Sequence, residues 1–215
     1  MKAFIFDMDG TLIDNMSYHF RAWQTVLAAR EMHVPLAEIP NRAYGKNNES
    51  FERFFGRKPN KEEILAFNLE KEQAYRDIYA PFLSLIEGVE PFLKAAKALG
   101  IPMAIGTGAS VRNTNFVVNG LNIRQYFSQI ITAEDVINGK PHPETFLSAA
   151  VALGVKPENC VVFEDVLSGA EAAERAGMKT VILTTTFAHE EVSKYPSVIK
   201  VINDYTEIQA KDFLV

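Results

Sequence analysis

One cysteine, Cys160, is the whole thiol content of this 215-residue chain. An intramolecular disulfide and a cysteine metal cluster are therefore both excluded. Cys160 opens the apolar run Cys160-Val161-Val162-Phe163, where a small buried side chain is expected in preference to a reactive thiol. Long apolar runs are missing as well. None approaches the ~18 residues of a membrane span, and the opening residues Met1 to Asp7 are too briefly apolar for a signal peptide, so a cytoplasmic protein is expected. Positive charge is also in short supply. With 22 Lys and Arg against 27 Asp and Glu, the net charge is -5, which argues against nucleic acid or an anionic membrane as the main partner. There are no heptads, repeats or low-complexity segments. What remains is an ordinary composition, 47% hydrophobic and 23% charged, and enough length for one domain with a sizeable insertion or for two small domains. A monomer is the expectation.

The chain is organised around Phe4-Ile5-Phe6-Asp7-Met8-Asp9-Gly10-Thr11-Leu12-Ile13-Asp14. Aromatic and β-branched residues lead into two carboxylates, and Gly-Thr then turns the chain, the pattern of a buried strand ending in a chemical site. Alternation along an extended segment puts Asp7 and Asp9 on the same side. Two like charges there call for a bound cation or a raised carboxyl pKa. Aspartates also serve in turns and as helix caps, and that structural reading stands beside the chemical one.

Beyond this strand, Met16, Phe20, Trp23 and Leu27 recur at helical spacing, predicting an amphipathic helix over about 17–30. Further helices are predicted over about 50–55 and 61–79, the latter opened by Pro59-Asn60. No strand pattern appears between residue 15 and residue 100, so 15–82 reads as an all-helical insertion. After Pro81 and Glu87-Gly88, apolar runs alternate with helical runs, the signature of a parallel sheet covered on both faces. Strands are expected over 101–107, 129–132, 160–164 and 180–184, with a last edge strand over 198–202. The helices between them are expected over 91–99, 110–119, 143–153 and 166–176.

Ligands in such sheets sit beyond the carboxyl ends of the strands, which turns the strands into a set of candidate site positions. Gly106-Thr107-Gly108-Ala109-Ser110 follows a strand and opens a helix, but Val111 stands at the third glycine of a dinucleotide fingerprint. Two readings remain: small residues presenting backbone N–H groups and the Thr107 hydroxyl to a phosphate, or a tight turn that needs glycine. Lys140, between Gly139 and Pro141, is held in a loop with an ammonium able to reach inward; a solvated surface lysine is the alternative. Glu164-Asp165 closes an apolar strand. Adjacent carboxylates suit a hard cation such as Mg²⁺, and they also suit the N-terminus of the helix that follows.

The string DMDGTLID, the Thr107 strand end, Gly139-Lys140-Pro141-His142-Pro143-Glu144 and Phe163-Glu164-Asp165 together resemble the haloacid dehalogenase superfamily, in its phosphatase and phosphomutase branch with a helical cap. The resemblance covers nearly the whole chain. It implies a Rossmann-like α/β parallel-sheet core, residues 1–14 and 83–215, carrying an inserted all-helical cap, residues 15–82, with hinges near Asp14-Asn15 and Pro81-Phe82. It implies Asp7 as the nucleophile, forming an aspartyl-phosphate, and Asp9 as general acid and base. Thr107, Gly108 and Lys140 would bind phosphate, and Mg²⁺ would be held at Asp7, Asp9, Glu164 and Asp165. The substrate would be a small phosphorylated metabolite.

In the insertion His19, Lys46 and Lys71 are candidate substrate contacts, each with a bland alternative: a boundary histidine, a solvated lysine, a snorkelling lysine. The stretch Asp14 to Trp23 is similar to the β-phosphoglucomutase-like branch, yet Asn15, Asn48 and Val111 depart from its mutase pattern. A sugar-phosphate phosphatase is therefore ranked above a phosphomutase, with pyrophosphate hydrolysis and a non-catalytic phosphate sensor further alternatives.

Overall fold

Apolar runs separated by helical stretches become the strands of one parallel sheet. The computed structural model describes residues 2–43, 47–186 and 195–214. Along the chain the elements are β1 (Ala3–Phe6), α1 (Met16–Ala28), α2 (Asn47–Phe55), α3 (Lys61–Tyr79), α4 (Val89–Ala98), β2 (Met103–Gly106) and α5 (Val111–Gly120). They continue with β3 (Gln129–Ile131), α6 (Glu144–Leu153), β4 (Cys160–Glu164), α7 (Leu167–Arg175), β5 (Lys179–Leu183) and β6 (Val198–Ile202).

Among the described residues the sheet has six strands in the order β3-β2-β1-β4-β5-β6, and every pair is parallel. The chain runs outward from β1 through β2 to β3, then returns to place β4 on the other side of β1. That reversal is the switch point at which parallel α/β sheets bind ligands. Register does the rest: Phe6 lies opposite Ile105 on one side and Phe163 on the other, so Asp7, Gly106 and Glu164 emerge together at one sheet edge.

Strand alternation divides the core. Phe4 and Phe6 face an aromatic layer with Phe92, Phe163, Tyr205 and Phe213, in which Phe6 and Phe163 stack at 4.6 Å with planes 10° apart. Ala3 and Ile5 face the other layer, with Phe146, Ala149, Val162 and Ala173. Burying each large apolar side chain stabilises the fold by roughly 1.5–3 kcal/mol, so the strand ends that carry the site are firmly anchored.

Two boundaries differ from expectation for local reasons. β2 starts at Met103, not Ile101, because Pro102, which accepts from the Phe4 N–H through its carbonyl, has no N–H to give a ladder. α4 starts at Val89, two residues before Pro91. Gly88 makes the turn at φ +80°, and in the first helical turn the missing proline N–H removes no intrahelical bond.

The chain divides into two compact units, Met1–Asp14 with Leu83–Val215, and Asn15–Phe82. The first is the sheet unit. The second holds α1, α2 and α3, and no strand among its described residues. Its core is built from Trp23, Val26, Leu27, Phe51, Phe54 and Phe67, and Asn60 caps α3 by accepting the Glu63 N–H at 2.8 Å. Among the described residues, no helix is long and apolar enough to cross a membrane.

Candidate active site

The end of β1 is tied to β4 where the Asp7 N–H donates to the Phe163 carbonyl at 2.9 Å. Past that bond the register brings three buried carboxylates together: oxygens of Asp7, Glu164 and Asp165 lie within 4.8 Å of one another. Lys140 reaches them from its loop, beside a cis Lys140–Pro141 peptide bond. Its Nζ donates to Asp7 Oδ1 at 2.6 Å and to Glu164 Oε1 at 2.5 Å, and lies 4.6 Å from the centre of the Phe146 ring.

The other Glu164 oxygen, Oε2, accepts the backbone N–H groups of Asp165 at 2.7 Å and Val166 at 2.9 Å. Both N–H groups precede α7, whose first turn holds no acidic residue and whose Val166 N-cap makes no side-chain cap bond, so Glu164 holds the strand-to-helix turn and reaches the carboxylate cluster without capping the helix. Asp165 is held on both oxygens, by Thr11 Oγ1 at 3.2 Å and Thr186 Oγ1 at 2.5 Å.

Two glycines make room for these acids. Gly10 has φ +79°, and a Cβ there would stand 2.0 Å from Asp165 Oδ2; a Cβ on Gly169 would stand 1.9 Å from Glu164 Oε1. The first glycine is required on both conformational and steric grounds, the second on steric grounds alone.

Three carboxylates facing one ammonium leave an excess of negative charge away from water. Burial pushes Asp7 up to about 7, with Glu164 and Asp9 adding to the rise and Lys140 opposing it. Burial likewise pushes Asp165 up to about 8, helped by Glu164 and Asp7. For Lys140 burial acts against the charge, but Asp7 and Glu164 outweigh it and the pKa lies above the usual lysine value. A divalent cation with oxygen ligands is the group that such a cluster fits. Asp9 is half-buried and outside the three-carboxylate group, so its side chain remains distinct from the cluster.

At the neighbouring strand end Thr107 is buried, accepts the Ala109 N–H at 3.1 Å on its hydroxyl and donates its own N–H to the Ile131 carbonyl at 3.0 Å. Gly108 is exposed with nothing within 4 Å of a Cβ position, whereas a Cβ on Gly106 would press Ile5 and Phe146 at 3.2 Å. Gly106, the last residue of β2, is thus small because side chains pack against the strand there, and open space lies beside Gly108. At the α5 N-terminus, Ser110 accepts the Asn113 N–H, and the Val111 N–H donates to the Glu134 carboxylate at 3.1 and 3.3 Å.

In the helical unit Asn15 Nδ2 donates to Tyr75 Oη at 2.6 Å and lies 3.3 Å from His19 Nε2. The His19 ring stacks on Tyr75 at 3.9 Å. Burial, and then the Lys71 ammonium, hold His19 down to about 3 against the pull of Glu72. Lys71 is 5% exposed, ion-paired with Glu72, and 5.9 Å from the centre of the Trp23 ring. Lys46 lies outside the described residues.

The structure thus brings Lys140 into contact with Asp7 and Glu164 and an Asp165 oxygen within 4.8 Å of theirs, with Thr107 and Gly108 on an adjacent strand end, and gathers His19 and Lys71 in the helical unit. Sequence reasoning missed Thr11, Thr186 and Glu134, whose bonds cross long stretches of chain, and it did not single out Gly169. A signal did exist for Gly10, inside DMDGTLID.

A family model for haloacid dehalogenase-like hydrolases matches residues 1–177. The fructose-1-phosphate phosphatase YqaB of Escherichia coli is 32% identical over 82% of this chain and 93% of its own length. A haloacid dehalogenase hydrolase of family IA, variant 3, from Entamoeba histolytica superposes with a TM-score of 0.91 at 26% identity, over 99% of this chain and 97% of that one. β-Phosphoglucomutase from Clostridium difficile does so with a TM-score of 0.82 at 27% identity, over 99% and 95%. With a parallel sheet whose switch point carries these acids and this lysine, the chain belongs to the haloacid dehalogenase-like hydrolase family.

Proposed function

We propose that this protein is a Mg²⁺-dependent phosphatase that hydrolyses a small phosphorylated metabolite, a sugar phosphate, through an aspartyl-phosphate on Asp7. The observation that carries the reading is Asp7 itself: a buried carboxylate at the sheet's switch point, held on Oδ1 by Lys140. The name of the YqaB relative supports the substrate class.

In the first half-reaction an Asp7 oxygen attacks phosphorus in line and the bond from phosphorus to the ester oxygen breaks. Asp9 donates its proton to the leaving alcohol. In the second, Asp9 takes a proton from water, which attacks the phosphorus and releases Asp7 and inorganic phosphate. Lys140, the Thr107 hydroxyl and the Gly108 N–H hold the equatorial oxygens as their charge grows. Asp7, the Asp9 carbonyl and Asp165 would hold magnesium, which when bound would supply positive charge to offset that of the nucleophile and the phosphate. Lys140 opposes the burial that favours protonation of Asp7 and so favours its charged, attacking form. The helical unit, through His19 and Lys71, selects the alcohol portion.

A phosphomutase is the second reading, supported by the likeness to β-phosphoglucomutase. Release of phosphate from p-nitrophenyl phosphate with Mg²⁺ is expected from the native protein and not from Asp7→Asn. Equal rates in the two would overturn the catalytic assignment. Against a panel of hexose phosphates, free phosphate is expected; an isomeric phosphate ester without free phosphate would favour the mutase.

A further inference from the structure

We infer that Phe146 is a positioning residue for the reaction, its ring face seating the Lys140 ammonium beside Asp7 and Glu164. The inference rests on the phosphatase reading and adds to it a residue that acts through Lys140.

Lys140 reaches the carboxylates from a loop, and a lysine side chain is a flexible stem that loses entropy when its tip is held in one place. Its Nζ donates to Asp7 Oδ1 and to Glu164 Oε1. An ammonium has three N–H groups, so a third carboxylate beside it would compete with the phosphate for the last one. An aromatic face attracts the cation without taking that place as a full acceptor. The Phe146 ring lies there, its centre 4.6 Å from Nζ, inside the range of about 6 Å over which such attraction acts. At 0% exposure, the ring gives water no access to weaken it.

The ring is backed by the sheet. Gly106 ends β2, and a Cβ there would stand 3.2 Å from Phe146 Cδ1 and 3.4 Å from Thr145 Cγ2, so the strand is bare where the ring presses. The loop is tied to the same helix. Glu144, the first residue of α6, accepts the Ile137 N–H at 2.7 Å, the Asn138 N–H at 3.1 Å and Asn138 Nδ2 at 2.9 Å. Helix α6 therefore carries both the ring and the anchor of the loop that brings the ammonium to it.

A core phenylalanine needs no further role, so the test has to separate charge from volume. Fluorine atoms on the ring drain its negative face and change its size little. Phenylalanine carrying one, two or three ring fluorines, incorporated at position 146 alone, should lower kcat for p-nitrophenyl phosphate with Mg²⁺ stepwise, by about fivefold in all. KM should stay within about twofold, because Lys140 acts on charge that grows in the transition state. In urea unfolding the midpoint should fall in the same order, and that trend should vanish once Lys140→Met removes the cation. A kcat indifferent to the number of fluorines, or a midpoint trend that survives Lys140→Met, would overturn the positioning role and leave Phe146 a packing residue. No hydrolysis by the native protein would overturn the phosphatase reading instead, and the midpoint series would still decide whether the ring seats the ammonium.

Discussion

A Cβ atom on Gly169 would stand 1.9 Å from Glu164 Oε1, the oxygen that receives the Lys140 ammonium. Helix propensity and site geometry therefore pull in opposite directions at this position. In a helix interior alanine is favoured over glycine by about 1 kcal/mol, so a position governed by α7 alone would gain stability from Gly169→Ala. Here Glu164 has to move, and its bonds to Lys140 and to the Asp165 and Val166 N–H groups are strained or lost. The expected outcome is destabilisation by about 1–3 kcal/mol, read from urea midpoints, together with loss of phosphatase activity.

Lys140 offers a second check on the cluster. Removing one partner of a buried ion pair typically costs about 3–5 kcal/mol because the remaining charge is left uncompensated. Lys140→Met leaves Asp7, Glu164 and Asp165 facing one another. With Asp7 pushed up to about 7, protonation relieves that repulsion in acid. The loss of stability should be large at pH 8 and smaller at pH 5, measured by denaturant unfolding at the two values.

Parts of this arrangement were legible in the sequence and parts were not. β4 was expected over 160–164 and is found as Cys160–Glu164, because an uninterrupted apolar run ending in two acids has few other physical explanations. α3 likewise matches at 61–79, marked by Asn60 as its cap. These are local signals. The bonds of Thr11 and Thr186 to Asp165 span 154 and 21 residues, and Glu134 reaches Val111 across 23. No spacing rule announces them. Nothing in the spacing singles out Gly169, since its neighbour Glu164 becomes crowded only once β4 and α7 are folded together. The separation of roles between the Glu164 oxygens, one on Lys140 and one on backbone N–H groups, was also invisible before the fold.

Metal binding should be readable through stability and pH. Asp7 and Asp165 have folded pKa values raised above the ordinary value, to about 7 and about 8. The sign follows: their protonated forms are favoured by folding, so the contribution is fully present below about pH 4 and is lost as pH rises through 7 to 8. A cation that binds only the folded, ionised cluster restores what is lost. The Tm increment from 5 mM MgCl₂ over EDTA should be near zero at pH 5 and reach a few degrees at pH 8. An increment independent of pH, or absent in native protein at pH 8, would contradict the assignment of the cluster as the magnesium site.

His19 titrates with the opposite sign. Burial and Lys71 hold its folded pKa down to about 3, below the ordinary 6.5, so the unfolded chain takes up a proton that the folded chain refuses. Stability is then fully present above pH 6.5 and is lost as pH falls toward 3, by up to about 1.4 kcal/mol per pH unit for this group. Carboxylates elsewhere also titrate in this range, so the test is a difference. His19→Phe keeps a flat ring against Tyr75, where the native ring stacks at 3.9 Å, and removes the ionisation. Relative to that variant, native protein should lose about 2 kcal/mol between pH 6.5 and pH 4.5. Parallel stability curves for the two would show that His19 takes up its proton in the folded state. The cost of excluding a proton here is what keeps the imidazole neutral beside Lys71, and a neutral ring is the form able to accept a hydrogen bond from a substrate hydroxyl.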